Sequence, residues 1–291
     1  MAPYCKAGCA SPLASPRMAL SEIDLAFVAE LVHKRTGIRL DKDKGYLVEA
    51  RFGRIYERMG MRGVGEFIAY LRQGAPETLV AEAVEAMTTN ETYFFRDGAP
   101  FEALRDKAMP ALMAAKRGDR SLNIWSAACA TGQEPYSIAL TLREGFPQLA
   151  DWTVQIFATD IANGILDRAR AGLYTQVEMN RGLSPELARK YFAAEGQGWR
   201  LREEVRRMVR FWTLNLCLEW PVFPRMDVIF LRNVLIYMDD ADKRSILARA
   251  HRLLQPGGFL FLGAAESTFN LSDYFRRSEF DVSGCFRPVA K

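Results

Sequence analysis

Residues 122–137 read Leu122-Asn-Ile-Trp-Ser126-Ala-Ala-Cys129-Ala-Thr-Gly132-Gln-Glu134-Pro135-Tyr136-Ser137. A short apolar strand gives way to a run of small residues and then to a helix start. Small side chains between a strand and a helix let a ligand approach the backbone closely. Pro135 fits a first helical turn, where its missing N–H costs nothing. Glu134 sits where a helix N-terminus favours a carboxylate. Taken alone it is equally a plain helix-start residue, and the loop is not a GxGxxG fingerprint.

Downstream, the pattern alternates. Strands are expected over 122–126, 153–158, 227–231 and 257–263, with a further one near 280–288. Helices are expected over 134–145, 163–171 and 240–254. Alternation of this kind predicts a doubly wound α/β sheet with its ligand at the carboxyl ends of the strands. Residues 196–213, with Trp199, Leu201, Val205, Val209, Phe211 and Thr213, break the alternation and read as a small antiparallel β insertion. The second strand ends Ile156-Phe-Ala-Thr-Asp160, and an acid there commonly takes ribose hydroxyls; an N-cap role for the next helix is the plainer alternative. With the small-residue loop, Asp160 favours an adenosine-bearing cofactor, and no GxxxxGK[ST] run points to ATP. A later strand runs into Arg232-Asn233-Val-Leu-Ile-Tyr237, polar residues that are costly at an apolar strand end unless they meet partners.

Upstream, Pro100 opens a helix reaching roughly Arg117, and residues 21–88 show helices without a convincing strand. Ser21 and Asp24 form a capping-box-like start, and Gly37 ends the first helix. Further helices are expected over 44–59, 66–72 and 77–87. The second carries Arg51, Arg54 and Arg58 on one face. Between residues 34 and 62 nine basic residues oppose Asp41, Asp43, Glu49 and Glu57, although residues 1–90 hold 12 basic and 11 acidic residues. That stripe is either a solvated face or a docking site for an acidic partner. Residues 1–20 read as a disordered tail or an over-long start, and residues 89–291 as the second domain.

The chain has 291 residues, a formal charge of +4 and only two histidines, His33 and His251, neither at ligand spacing from another His or a Cys. A histidine-rich metal site is excluded and a Ser-His-Asp hydrolase disfavoured; no metal is expected. Five scattered cysteines without a CxxC pair indicate neither a zinc ribbon nor a disulfide framework, and a reducing cytoplasm fits best. No apolar run approaches the ~20 residues that a membrane span needs.

The loop, the strand-two acid and Leu254-Gln-Pro-Gly-Gly258 together resemble a class I, Rossmann-like S-adenosylmethionine-dependent methyltransferase. More narrowly, Thr89-Asn90-Glu-Thr92-Tyr-Phe-Phe-Arg96, Ser126-Ala-Ala through Glu134-Pro-Tyr-Ser, Ala169-Arg-Ala-Gly172-Leu-Tyr174 and Phe230-Leu-Arg232-Asn233-Val-Leu-Ile-Tyr237 resemble the CheR family of chemotaxis receptor methyltransferases. These motifs are collinear over about residues 21–289. The resemblance implies an all-helical N-terminal domain, a methyltransferase domain and a small β-subdomain. It implies methyl-ester formation on glutamate side chains of chemoreceptor cytoplasmic helices, with S-adenosylhomocysteine as the other product. Carried over by position, Asn90, Thr92, Arg96, Glu134, Asp160, Asn215, Leu216, Arg232 and Asn233 should contact the cofactor, with Arg96 and Tyr237 near the transferred methyl. On the same reading Arg51, Arg54 and Arg58 would steer a glutamate-rich receptor helix, and the protein would be a cytoplasmic monomer with no nucleic-acid partner.

Two departures stand out. Gln133 occupies a position where the family often has an acid, and the stretch from Phe192 to Trp199 is short. Family members that grip a C-terminal receptor pentapeptide have a longer loop there, so a pentapeptide-independent enzyme is expected. The competing classes are a small-molecule or RNA methyltransferase on the same fold, a non-catalytic S-adenosylmethionine-sensing module, and a nucleic-acid binder using the basic stripe. Methyl-ester lability in mild base discriminates the first, cofactor binding without methyl transfer to any receptor would favour the second, and salt-dependent DNA binding tests the third.

Overall fold

The computed structural model describes residues 20–279 and 284–289. The segment expected to be a tail or an over-long start lies, apart from Leu20, outside the described residues. The chain divides into two compact units, one comprising residues up to Leu31 with Leu40–Met87, the other Val32–Arg39 with Thr88 onward.

The first unit is helical. It contains most of α1 (Glu22–Thr36), then α2 (Gly45–Arg58), α3 (Val64–Arg72) and α4 (Glu77–Met87). Ser21 and Asp24 cap α1 reciprocally: Asp24 N–H donates to Ser21 Oγ at 3.1 Å, and Ser21 N–H and Oγ donate to Asp24 Oδ2. Val48, Phe52 and Ile55 of α2 meet Phe67, Ile68, Val80 and Val84 in a buried core, with the Phe52 and Phe67 rings edge-on at 5.2 Å.

The compact units divide the chain differently at one point. Val32–Arg39, the end of α1 and the turn after it, belongs to the second unit. The physical reason is helix termination. Gly37 turns left-handed at φ 75, and the last carbonyls of α1 find partners in the second unit. Asn215 Nδ2 donates to Arg35 O at 2.7 Å, and Cys217 Sγ to Thr36 O at 3.4 Å.

The second unit begins with a helical run, α5 (Ala99–Ala103) and α6 (Met109–Ala115), joined by a wider π-type turn over Leu104–Ala108. Then follow β1 (Ser121–Ala127), α7 (Gln133–Gly145), β2 (Thr153–Asp160) and α8 (Asn163–Ala171). A subdomain comes next: β3 (Leu173–Tyr174), α9 (Gln176–Met179), α10 (Pro185–Tyr191), β4 (Phe192–Glu195) and β5 (Gly198–Leu201). After α11 (Glu203–Arg206) the main sheet resumes with β6 (Val209–Thr213), β7 (Met226–Leu231), α12 (Asp240–Leu253), β8 (Leu254–Leu262), β9 (Phe275–Arg277) and β10 (Cys285–Pro288).

The main sheet has the order β6-β2-β1-β7-β8-β10-β9, with β1, β2, β6, β7 and β8 parallel and β10 antiparallel to both β8 and β9. Every residue of β7 is buried, as expected of a central strand covered on both faces. The order reverses between β1 and β7, which opens a crevice at their carboxyl ends.

The expected β insertion at 196–213 is placed differently. The small antiparallel sheet is β3-β5-β4, from 173 to 201. Val209–Thr213 instead pairs in parallel with β2 and forms the edge of the main sheet. Its alternating burial is that of an edge strand and looks the same in sequence as a hairpin arm. The Leu254-Gln-Pro-Gly-Gly258 turn lies within β8, where the register slips between Met226↔Leu254 and Val228↔Phe259. Among the described residues no helix is long and apolar enough to cross a membrane.

Candidate active site

The crevice at the switch point is a cleft partly open to solvent. Its floor is the loop after β1. There Ala128, Ala130 and Gly132 all have positive φ (54°, 49° and 91°), and the first two carry nothing beyond Cβ. The loop is tied down from several sides. Cys129 N–H donates to Thr159 O, Ala130 N–H to Asp160 Oδ2 at 2.9 Å, and the Tyr174 hydroxyl of β3 to Thr131 O at 2.9 Å. Gly132 is required here: a Cβ would meet Ala169 Cβ at 3.0 Å and Tyr136 at 3.2 Å.

A charged network crosses the cleft. Glu134, at the start of α7, accepts Ser126 Oγ at 2.7 Å and Arg232 Nη1 at 3.0 Å. Arg232, just past β7, also donates through Nη2 to Asp97 Oδ2 at 2.6 Å and to Arg96 O at 3.0 Å. Its side chain is only 1% exposed, and its Nε finds no partner among the described residues. Burial raises the Glu134 carboxyl above the ordinary range, with Arg232 and Ser126 opposing that rise. Asp160 accepts the Ala130 and Ala162 amides, which braces the end of β2 against the loop.

Arg96 lies in a tight turn in which Phe95, Asp97 and Gly98 all have positive φ. Phe94 anchors this turn, fully buried and edge-on to Tyr174 and Phe192, while Phe95 N–H donates to Ser137 Oγ at 2.9 Å. Arg96 Nη1 donates to Glu91 O at 2.7 Å. Tyr237 ends a 3₁₀ turn, Leu235–Tyr237, and its carbonyl accepts Arg39 N–H at 2.9 Å.

Asn90, Thr92, Arg96, Glu134, Asp160, Asn215, Leu216, Arg232, Asn233 and Tyr237 all line this one cleft. Asn215 does so with its amide engaged elsewhere, since Nδ2 holds Arg35 O and Oδ1 accepts Cys217 N–H. Sequence reasoning missed Thr36, Ile38, Ile161, Leu214 and Met238, which supply much of the remaining wall. Thr36 and Ile38 carried no signal, because their segment reads simply as the end of a helix.

Arg51, Arg54 and Arg58 lie in the first unit. Arg51 is half-buried and donates to Met87 O at 2.7 Å, and Arg58 makes a two-pronged pair with Glu82. Arg54 is exposed. Neither histidine lines the cleft. His251 stacks on Tyr274, its ring centroid 5.1 Å away. His33 is exposed beside Asp239 and Asp242, their possible ligand atoms within 4.8 Å of one another. Asp239 already serves as the N-cap of α12, accepting Asp242 N–H.

Residues 23–88 match the family model of the CheR methyltransferase all-alpha domain, and residues 90–283 that of the CheR methyltransferase SAM binding domain. Chemotaxis protein methyltransferase 1 of Pseudomonas aeruginosa is 41% identical over 266 residues, 89% of this chain and 95% of that protein. Chemotaxis protein methyltransferase Cher2 of Pseudomonas putida is 38% identical over 89% of this chain and 95% of that one. Chemotaxis protein methyltransferase 1 of Vibrio cholerae is 38% identical over 88% and 93% respectively. With both domains matched and relatives aligned over nearly their full lengths, the chain belongs to the CheR family of S-adenosylmethionine-binding chemotaxis methyltransferases.

Proposed function

We propose that this protein transfers a methyl group from S-adenosylmethionine to glutamate carboxylates on the cytoplasmic helices of chemoreceptors, acting in the cytoplasm as a monomer. The observation that carries the reading is the convergence in one cleft of ten side chains drawn from separate motifs. Their chemistry suits the cofactor. Glu134 offers a buried carboxylate for an ammonium group. Asp160, which lines the cleft at the end of β2, offers carboxylate oxygens of the kind that accept ribose hydroxyls. Ile161, Leu214 and Leu216 offer apolar surface for a base, and Arg232 Nε is a buried donor awaiting a partner.

The cofactor supplies an electrophilic methyl on a sulfonium centre. A substrate glutamate, with a reference pKa of about 4.3, arrives ionised, so the protein needs no general base. Its task is alignment. Arg96 holds one carboxylate oxygen by a charge-assisted hydrogen bond, and the Tyr237 hydroxyl fixes the approach of the other. Arg232 and Glu134 keep the Arg96 turn in place. The decisive experiment is transfer of tritiated methyl from the cofactor to receptor-containing membranes, followed by mild base. Label released as methanol supports the reading, and stable label or none refutes it.

Arg51, Arg54 and Arg58 are assigned to steering the acidic receptor helix. Because Arg51 and Arg58 also serve the fold, Arg54→Ala is the cleaner probe. Neutralising all three should lower receptor methylation by about tenfold at low ionic strength, with cofactor affinity unchanged. Unaltered methylation at low salt would remove this role.

We also propose that the enzyme works without a receptor tail peptide. β4 and β5 pair from Phe192↔Leu201 to Glu195↔Gly198, which leaves only Gly196 and Gln197 in the turn between them. That supports a short, closed hairpin without a loop to wrap a peptide. Calorimetric titration with a receptor C-terminal pentapeptide should show no micromolar binding; a micromolar constant would overturn the proposal.

A further inference from the structure

The geometry points to Glu266 as the positioning residue that shapes the substrate-facing loop. Glu266 is nearly buried, 9% exposed, and its carboxylate faces a convergence of backbone amides. Oε2 accepts Asn233 N–H and Gly263 N–H, both at 2.7 Å. Oε1 accepts Val234 N–H at 2.9 Å, Leu235 N–H at 2.8 Å and, more loosely, Ile236 N–H at 3.4 Å. Five amides thus close on one anion, a built site that the chain fills with its own side chain. Four of the five lie between Arg232 and Tyr237.

The hold has structural consequences. Asn233 sits at φ 57, in the left-handed region that Asn tolerates better than most side chains, and its N–H bond to Glu266 holds it there. The 3₁₀ turn Leu235–Tyr237 follows at once. On its far side Tyr237 O takes Arg39 N–H, so the segment is pinned at both ends. Gly263 makes the close approach possible: a Cβ there would lie 2.8 Å from Glu266 Oε2, 2.7 Å from Asn233 Nδ2 and 3.0 Å from Asn233 N. Glu266 itself does not line the cleft. It acts through Asn233 and Tyr237, and in that respect the inference rests on the function proposed above.

Isosteric replacement tests it sharply. In Glu266→Gln one oxygen becomes an NH₂ group facing two N–H donors or more, so acceptors are lost and donors collide. Glu266→Asp keeps both acceptors on a stem one methylene shorter and should restore part of the function. The experiment measures amide hydrogen exchange of the unliganded protein together with kcat and KM for receptor methylation. A buried core variant, Leu247→Ala, serves as control for lost stability.

In the wild type the amides of 233–236 should be strongly protected. In Glu266→Gln that protection should fall, and kcat should drop by about 100-fold while KM for receptor stays within about threefold. Glu266→Asp should lie between the two, and Leu247→Ala should keep kcat despite its lower melting temperature. Fast exchange at 233–236 in the wild type overturns the inference. So does a Glu266→Gln kcat within about threefold of wild type, or one no lower than that of Leu247→Ala. Should the wild type form no base-labile ester, the functional reading falls, and the exchange data still decide whether Glu266 holds the loop.

Discussion

Replacing Arg232 with methionine is expected to cost about 3–5 kcal/mol of folding stability and to weaken S-adenosylmethionine binding by about 100-fold. The stability figure follows from burial. The side chain is 1% exposed, and three of its bonds go to Glu134, Asp97 and the Arg96 carbonyl. Methionine fills much of the volume but leaves the Glu134 carboxylate without its cation. Burial already lifts the Glu134 carboxyl, and Arg232 is the strongest influence holding it down. Without that cation the group protonates more readily and no longer presents an anion to the cofactor. The same logic fixes the pH dependence. A carboxyl whose folded pKa exceeds its unfolded value binds its proton more tightly in the folded state. Its contribution to stability therefore declines as pH rises through that window. Losing Arg232 raises the folded-state value further, so the variant's deficit should widen as pH rises through and above the ordinary carboxylate range. Urea unfolding across that range and calorimetric titration provide the measurements. Adding Glu134→Leu to Arg232→Met should recover part of the stability, because an apolar pair removes the stranded charge. A single-variant loss below about 1 kcal/mol would show the network to be solvated like a surface ion pair.

Sequence reasoning located cleft-lining residues where the pattern is local. The loop after β1 announces itself by a small-residue run between an apolar strand and a proline-initiated helix, and Asp160 by closing the next strand. These residues meet because parallel strands bring their carboxyl ends into line, a consequence of topology that alternation alone predicts. Glu266 had no such signal. It follows a strand as an ordinary polar residue, and its amide partners at 233–236 lie some thirty residues earlier. Strand β6 was misplaced for a related reason. Alternating burial describes an edge strand and a hairpin equally well, and only pairing with β2 separates them. Periodicity gave the faces of side chains and left their partners open. It put Arg51, Arg54 and Arg58 on one helix face, but the carbonyl of Met87 and the carboxylate of Glu82 that occupy two of them belong to α4. His33, unremarkable by spacing, sits beside Asp239 and Asp242 through contacts distant in the chain.

The second large effect is expected on turnover. Arg96→Ala should reduce kcat by about 100- to 1,000-fold, with a smaller loss of cofactor affinity. A guanidinium carries five donors, and the bond to Glu91 O uses one of them while fixing the side chain's direction. Its Cζ also lies 5.7 Å from the Tyr93 ring centroid. The backbone of the residue is held independently, since Arg232 takes its carbonyl. Truncation to alanine therefore removes the positively charged head and leaves the turn standing, so under the proposed function the loss falls on alignment of the attacking carboxylate. Arg96→Lys restores charge without the planar fork and should recover only part of the rate. Tyr237→Phe removes a single hydroxyl and should cost about tenfold. The phenyl ring preserves the packing, and the anchor at Tyr237 O is a backbone bond that the substitution does not touch. Single-turnover methylation at saturating cofactor, paired with calorimetric cofactor affinities, separates the two quantities. Because the nucleophile arrives ionised, neither variant should shift the pH-rate profile as loss of a general base would. Turnover within a few-fold of wild type in both variants would place the alignment of the carboxylate elsewhere in the cleft.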